Sequence, residues 1–305
     1  MKKILLTVFL LFNVNQIFSS QEIRTVNNGN LILENIPYIP QSIKDDLSRF
    51  QNVRSATFRG FKTGNDGLYI STRFGNVSQL HHVKSPGAMR NQITYFEEPI
   101  GSVAMHPVDS SIVFTMDKGG TENAQIYLLE PSSASTKLLT DGTSRNGGPL
   151  ISNSGNKIAF QSNKRNGSSN DVWILNLDAP KQNEIVIESL DGTWWGATDW
   201  TQDDSKLLIQ NYISIANSKA YILDLKTKER TLILGDKVNE SVNNALAFDK
   251  DDKGIFFITN QYGEFNQLAY HNLETSEVTI ISKQIFWNVD GFTISDSGNK
   301  AAFVV

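Results

Sequence analysis

The side chains most suited to metal binding or catalysis are four histidines and one acidic run. The histidines fall on predicted strands and turns, and no two have the spacing that places metal ligands on one helix face. The acidic run at residues 249–254 resembles the start of a calcium-binding loop, but Lys253 stands where that loop needs an oxygen ligand. The sequence therefore predicts no metal site and no cofactor. The histidines are His81, His82, His106 and His271.

The sequence does not contain the motif that usually surrounds a catalytic serine. The nucleophile elbow of α/β-hydrolases needs Gly-x-Ser-x-Gly at a turn from a strand into a helix. The nearest string, residues 142–146, has Asn146 in place of the last glycine and lies between two predicted strands. We therefore interpret Ser144 as a turn residue and predict no catalytic residue in this chain.

Length and composition are those of an ordinary globular protein. The chain has 305 residues, of which 39% are hydrophobic and 20% are charged, and it has no cysteine. These values lie near the average, so collagen-like, disordered and disulfide-stapled classes are excluded. The formal net charge of −4 offers no basic field to a nucleic-acid backbone. We expect no nucleic-acid partner.

The first 20 residues have the layout of a secretory signal peptide. Lys2 and Lys3 precede an apolar run over residues 4–12, and the small residues Ser19 and Ser20 follow it. The run is too short to span a bilayer comfortably. We therefore expect an exported protein, periplasmic or secreted, that has no membrane attachment after the signal is cleaved.

The rest of the sequence repeats a short apolar strand every 44 to 49 residues. A polar turn precedes most copies, and two further strands follow within most periods. Four short strands in a repeat of about 40 to 50 residues are typical of a β-propeller blade. The copies lie at 68–70, 112–114, 158–160, 207–209, 256–258 and 301–303.

We therefore predict an all-β fold, a β-propeller of four-stranded antiparallel blades with about five and a half blades present. A signal peptide at 1–20 and a lead-in segment at 21–54, with one short helix or turn over 42–50, precede the propeller at 55–305. The predicted blades are 55–94, 100–140, 147–188, 195–235, 242–282 and a partial blade at 288–305.

The half blade predicts an incomplete ring, because a propeller closes so that no blade keeps a long unpaired edge. On this interpretation the sequence is the front part of a longer protein. The alternative is that residues 22–54 complete the sixth blade and close a small ring.

Several stretches inside the repeat are distinctive in their order and spacing. They lie at residues 72–81, 118–127, 139–146, 162–167 and 210–214. Together they resemble the amino-terminal propeller of exported prolyl oligopeptidase family serine peptidases, the group of acylaminoacyl peptidases and dipeptidyl peptidases. The resemblance covers about residues 36–305.

The resemblance implies a C-terminal α/β-hydrolase domain in the full-length protein, with Ser, Asp and His in that chain order, and peptide substrates. The present sequence stops before such a domain, so this fragment is expected to be inactive alone and to serve as a non-catalytic propeller that gates substrate access and docks the hydrolase domain. The alternative is a TolB-like periplasmic propeller that binds protein partners without catalysis.

The strand order predicts which residues share one face of the propeller. In an up-and-down blade, the loop from strand two to strand three and the connection into the next blade emerge on the same side. Aromatic and arginine side chains concentrate in these segments, and such side chains favour docking surfaces. The predicted docking and substrate face contains Arg73, Phe74, Glu97, Glu98, Arg145, Arg165, Trp194, Trp195, Tyr262 and Glu264.

Overall fold

The computed structural model describes residues 22–64, 66–236, 238–295 and 297–305. The chain divides into two compact units, Met1–Asn52 and Val53–Val305. The predicted signal peptide at 1–20 lies outside the described residues. None of the helices in the described ranges has the length and apolar character of a membrane-spanning segment.

The first unit contains a β-hairpin and one helix. Strands β1 (Ile23–Val26) and β2 (Leu31–Glu34) pair antiparallel in a two-stranded sheet of their own. Helix α1 (Gln41–Gln51) follows Pro40, whose fixed φ suits the position before a first helical turn. The predicted helix over residues 42–50 is therefore present, with one further residue at each end.

The second unit consists of five four-stranded antiparallel sheets and one two-stranded sheet, so the predicted all-β propeller of about five and a half blades is confirmed. Each sheet keeps its strands in chain order. The first blade is β3 (Thr57–Phe61), β4 (Leu68–Thr72), β5 (Gln79–Val83) and β6 (Arg90–Gln92). The second is β7 (Val103–Met105), β8 (Ile112–Met116), β9 (Gln125–Glu130) and β10 (Ser135–Leu138).

The remaining blades follow the same order. The third is β11 (Asn146–Ile151), β12 (Lys157–Ser162), β13 (Asp171–Asn176) and β14 (Asn183–Ile187). The fourth is β15 (Trp194–Trp200), β16 (Lys206–Ser214), β17 (Asn217–Asp224) and β18 (Arg230–Leu234). The fifth is β19 (Asn243–Phe248), β20 (Gly254–Thr259), β21 (Gln267–Asn272) and β22 (Val278–Ile280). The sixth sheet is β23 (Gly291–Ile294) with β24 (Ala301–Val304).

Packing between blades explains the unbroken apolar strands of the sequence. In β12 the consecutive residues Ile158, Ala159 and Phe160 are all buried, because neighbouring blades cover both faces of the sheet. Ala159 packs with Trp200 and Leu207 of the fourth blade, whereas Ile158 and Phe160 pack with Val113 of the second. The hydrophobic core is therefore divided into layers that lie between blades.

The first strand of each blade is the innermost one. Strands β3, β7, β11, β15 and β19 contact one another in series. We call the side with the loops between strands two and three and the connections between blades the loop face, and the side with the other hairpins the hairpin face. On the hairpin face a cavity of about 820 Å³ opens among the inner strands, and its walls include Phe61, Met105, Asn153, Asp199, Phe248 and Ile294, one from each sheet.

Candidate docking face and its supporting contacts

The loop face carries most of the large apolar side chains that the propeller loops expose. Trp287 is 71% exposed and Tyr95 is 76% exposed, although burial of aromatic rings is strongly favoured in water. Toward the hairpin face, the comparable residues include Phe61, Met89 and Val108. Toward the loop face they include Phe74, Tyr95, Leu190, Trp194, Tyr212, Ile213, Ile215, Val238, Tyr262, Ile281, Phe286 and Trp287.

Six of the ten predicted face residues remain at the surface or in a cavity open to it. Phe74 and Glu97, from two different loops of the first blade, line one cavity of about 350 Å³. Trp194 is 39% exposed at the start of β15. The others are exposed on the loops of the third and fifth blades, namely Arg145, Tyr262 and Glu264.

Trp195 is not part of the exposed face, contrary to the prediction. It is only 5% exposed, and its ring lies 5.3 Å from the ring of Tyr221, with the guanidinium of Arg230 at 5.0 Å. Successive residues of a strand point to opposite sides. Trp194 therefore reaches solvent while Trp195 enters the layer between the third and fourth blades.

Arg165 is committed to an internal ion pair, so its predicted docking role is corrected. Its Nε and Nη2 donate to the two carboxylate oxygens of Asp171 at 2.7 and 2.9 Å, and Nη2 also donates to the Ser189 carbonyl at 3.2 Å. Asp171 is fully buried. The hydrogen bonds to Asp171 raise the pKa of Arg165, and the pair fastens one loop to the next connection.

The Glu98 side chain is not free either, because its hydrogen bonds hold neighbouring loops together. Its Oε1 accepts a hydrogen bond from the backbone N–H of Gly119 at 2.7 Å, and its carbonyl accepts one from Gln79 Nε2 at 3.1 Å. This carboxylate therefore joins the first blade to the second. Arg73, in the neighbouring loop, is half-buried.

A repeated polar residue at the start of the third strand holds the loop face together, and the sequence analysis missed its role. The Gln79 side chain binds the backbone of Phe96 and Glu98, and that of Gln125 binds the backbone of Ser144 and Gly142. Asp171 occupies the same place in the third blade. The signal was visible as a polar residue that precedes each apolar third strand.

The hairpin face is stabilised by a belt of hydrogen bonds between blades, which we call the seam. Thr63 Oγ1 donates to the His106 carbonyl at 2.7 Å, and His106 Nε2 donates to the Gly155 carbonyl at 2.8 Å. His106 Nδ1 lies 3.1 Å from the backbone nitrogen of Asp109 and 3.0 Å from the Oδ1 of the same residue. The first three blades are thereby tied together.

Aspartates continue the seam through the fourth and fifth blades. The Asp204 carboxylate accepts the backbone N–H groups of Asn153 and Ser154 at 2.7 and 2.9 Å. Asp252 accepts the N–H of Gln202 at 2.9 Å, and Asp199 accepts that of Phe248 at 2.7 Å. These bonds lie beside the central cavity, which Asp199 and Gln202 line.

Burial sets the protonation behaviour of two seam aspartates, Asp199 and Asp252. It raises the pKa of Asp199 to about 6, against the opposing effect of the N–H groups that its carboxylate accepts. The nearby Asp252 carboxylate raises the pKa of Asp199 further, and burial also raises the pKa of Asp252 itself. In the described chain, no group of three or more His, Asp or Glu side chains has a geometry that would hold a metal ion.

Comparison with solved structures places the fold among known propellers. A prolyl endopeptidase, from a study of inter-domain dynamics in catalysis and specificity, matches 93% of this chain with a TM-score of 0.65 and 9% identity. TolB from Acinetobacter baumannii matches 86% with a TM-score of 0.52 and 15% identity, and a TolB of Agrobacterium tumefaciens matches 70% with 0.53 and 16%. At these identities the likeness shows the fold alone.

This chain covers different fractions of the lengths of the similar proteins. This chain spans about half of the prolyl endopeptidase, 48% of its length, compared with 67% and 73% of the two TolB proteins. No family model matches the sequence, and no curated protein matches it either. The predicted resemblance to a prolyl oligopeptidase-type propeller is confirmed at the level of the fold, with TolB-like propellers alongside it.

Proposed function

We propose that this chain is the non-catalytic propeller of an exported serine peptidase and that its loop face docks an α/β-hydrolase domain. One observation carries the proposal: the exposed aromatic side chains concentrate on the loop face of a propeller whose fold is similar to that of a prolyl endopeptidase. Contiguous exposed apolar side chains mark interaction surfaces in soluble proteins.

The supporting contacts fit a docking surface. Loops that hold exposed aromatic rings lose entropy on binding unless they are ordered beforehand. Here Gln79, Glu98 and the pair Arg165–Asp171 already fix the loops of the first three blades. The loops that carry Phe74 and Tyr95 are therefore ordered before any partner binds.

In the proposed enzyme the propeller limits which substrates reach the nucleophile. The central cavity among the inner strands has about 820 Å³, which is room for a short peptide segment and not for a folded domain. Enclosure of this kind also excludes water from the reaction. Short or unfolded peptides are the expected substrates, and export by the predicted signal peptide would place the enzyme in the periplasm or outside the cell.

The second candidate is a binding propeller without chemistry, similar to TolB. The observation in its favour is that the chain covers a larger share of the TolB structures than of the prolyl endopeptidase. Both candidates use the loop face for a protein partner, and they differ in whether a serine nucleophile accompanies the propeller.

Activity-based labelling separates the two. The protein is immunopurified from cells that make it naturally, treated with a fluorophosphonate probe, and digested for mass spectrometry. A labelled serine on the polypeptide that carries residues 55–305, or on one bound stably to it, together with hydrolysis of chromogenic peptides, supports the peptidase. Folded protein with neither label nor hydrolysis contradicts it and favours the TolB-like alternative.

A further inference from the structure

Two arginine side chains lie near the ring of Phe74. The guanidinium carbons of Arg54 and Arg90 are 5.2 and 5.0 Å from its centre, and the buried ring of His81 meets it edge-on at 5.4 Å. Both arginines are exposed. In the part of the chain that the structure describes, no carboxylate comes within 4.0 Å of either guanidinium.

This arrangement concentrates positive charge without neutralising it. Two guanidiniums near one ring lie at most about 10 Å apart, about one Debye length at 0.1 M salt, so they repel each other. Burial lowers the pKa of His81, which therefore adds no charge at neutral pH. An anion between the arginines would be attracted by both, and arginine is the side chain best suited to bind a carboxylate with two parallel hydrogen bonds.

An apolar cavity adjoins the arginines. Phe74, Tyr95 and Phe96 form part of the wall of the 350 Å³ cavity, and Tyr95 is 76% exposed. The cavity contains one acidic residue, Glu97, whose side chain is exposed and acts as a hydrogen-bond acceptor. A volume of this size is at the lower end of small-molecule sites, so it holds one or two residues of a peptide.

We propose that this cavity, whose wall residue Phe74 also contacts Arg54 and Arg90, binds the C-terminal residue of a peptide. The free carboxylate binds the two arginines beside Phe74, an aromatic or large apolar side chain packs on the ring surfaces of Phe74 and Tyr95, and a backbone N–H of the ligand donates to Glu97. We call this site the Phe74 pocket. Only the choice of a peptide as the source of the carboxylate rests on the proposed function.

The chemistry of the cavity favours this ligand over other anions. A phosphate or sulfate ion would use the arginines but leave the aromatic wall in water, and it has no N–H group to donate to Glu97. An aspartate in the middle of a peptide has chain on both sides, and both segments would have to pass through the small cavity for its carboxylate to bind. A chain end presents the carboxylate, the side chain and one N–H on a single residue.

The test uses the full chain and ligands that differ only in charge. N-acetyl-phenylalanine and N-acetyl-phenylalaninamide are titrated separately, and binding is followed by calorimetry or by NMR of the ligand. We expect the acid to bind at least tenfold more tightly than the amide, with a preference that shrinks as salt rises. N-acetyl-aspartate amide tests an internal carboxylate and should bind at least tenfold more weakly than the acid.

Variants of the protein locate the site. Arg90→Gln and Arg54→Gln should each weaken binding of the acid about tenfold and leave binding of the amide unchanged. Phe74→Leu should weaken both ligands. Lys84→Gln removes a cation from the opposite end of the same blade and should change neither. Circular dichroism and the thermal midpoint confirm that each variant is folded.

The proposal is overturned if the acid and the amide bind within twofold of each other, or if folded Arg90→Gln binds the acid as well as the natural chain does. Equal binding of the aspartate amide would overturn the assignment to a chain end. These results leave the fluorophosphonate experiment unaffected, and a missing fluorophosphonate label would not abolish carboxylate binding, so the two proposals fail separately.

Discussion

The two faces of the propeller differ in their side chains and in the contacts that those side chains make. The hairpin face uses short polar turns whose hydrogen bonds join one blade to the next, as at Asp204 and His106. The loop face uses longer segments that are held by side chains such as Gln79 and Glu98 and that leave aromatic rings such as Trp287 in solvent. The comparison indicates that the hairpin face stabilises the ring, whereas the loop face is available for binding.

The largest loss of stability is expected when Asp204 on the hairpin face is substituted. Asp204→Ala leaves the N–H groups of Asn153 and Ser154 without an acceptor and places alanine at a positive φ of 56°. Both effects destabilise the fold, by about 4 kcal/mol together in the free energy of unfolding. Urea unfolding measures the loss.

Asp204→Asn is the matched control, because asparagine tolerates this backbone conformation and retains one acceptor. It should cost about 1 kcal/mol. An equal and small effect of both variants would show that the seam contributes little and that the proposed division between the faces is wrong.

A pH effect of intermediate size is expected at Asp199. Its pKa of about 6 exceeds the ordinary value of 3.8, so between these values the folded chain binds more protons than the unfolded chain. The contribution of Asp199 to stability therefore falls as pH rises from about 4 to about 6, by about 2 kcal/mol, and stays low above pH 6.

Urea unfolding at pH 5 and pH 7.5 measures this slope. Asp199→Asn should remove most of the difference between the two pH values, while the smaller contribution of Asp252, whose pKa is also raised, persists. A slope that is the same in the variant and in the natural chain would assign the effect to other groups.

The smallest change in stability is expected on the loop face, together with a large change in function. Trp287→Ser removes a ring that is 71% exposed, so the free energy of unfolding should change by no more than about 0.5 kcal/mol. If the proposed peptidase is correct, peptide hydrolysis by the full-length protein should nevertheless fall at least tenfold, because an aromatic anchor of the proposed docking surface is lost. Lys228→Ser, on the hairpin face, should leave hydrolysis unchanged.

The fold could be predicted from the sequence because each repeat contains apolar runs of the length of a β-strand. Residues such as Ile158, Ala159 and Phe160 form an unbroken run, which a blade covered on both sides requires, and the polar turns mark its period. The order of strands then determines which loops share a face. Those two steps place Phe74 and Glu97 on the same face, and the structure brings both into the wall of one cavity.

The roles of individual side chains were harder to predict, since they depend on contacts between distant segments. Trp195 and its neighbour differ only in the direction of the side chain, which the local register of β15 decides. Strand order places Arg165 on the loop face, and no feature of the sequence indicates that its side chain pairs with Asp171. Arg54 and Arg90 meet at Phe74 from either end of the first blade, and no spacing rule relates them.

Photo-crosslinking in the protein as its own cells make it tests the proposed docking most directly. A benzoylphenylalanine is introduced at Trp287 on the loop face or, as the matched position, at Lys228 on the hairpin face, and the crosslinked peptides are identified after irradiation. The account predicts crosslinks from position 287 to a hydrolase sequence that contains the fluorophosphonate-labelled serine, and none from position 228. Hydrolase crosslinks from position 228 with none from position 287 would contradict it.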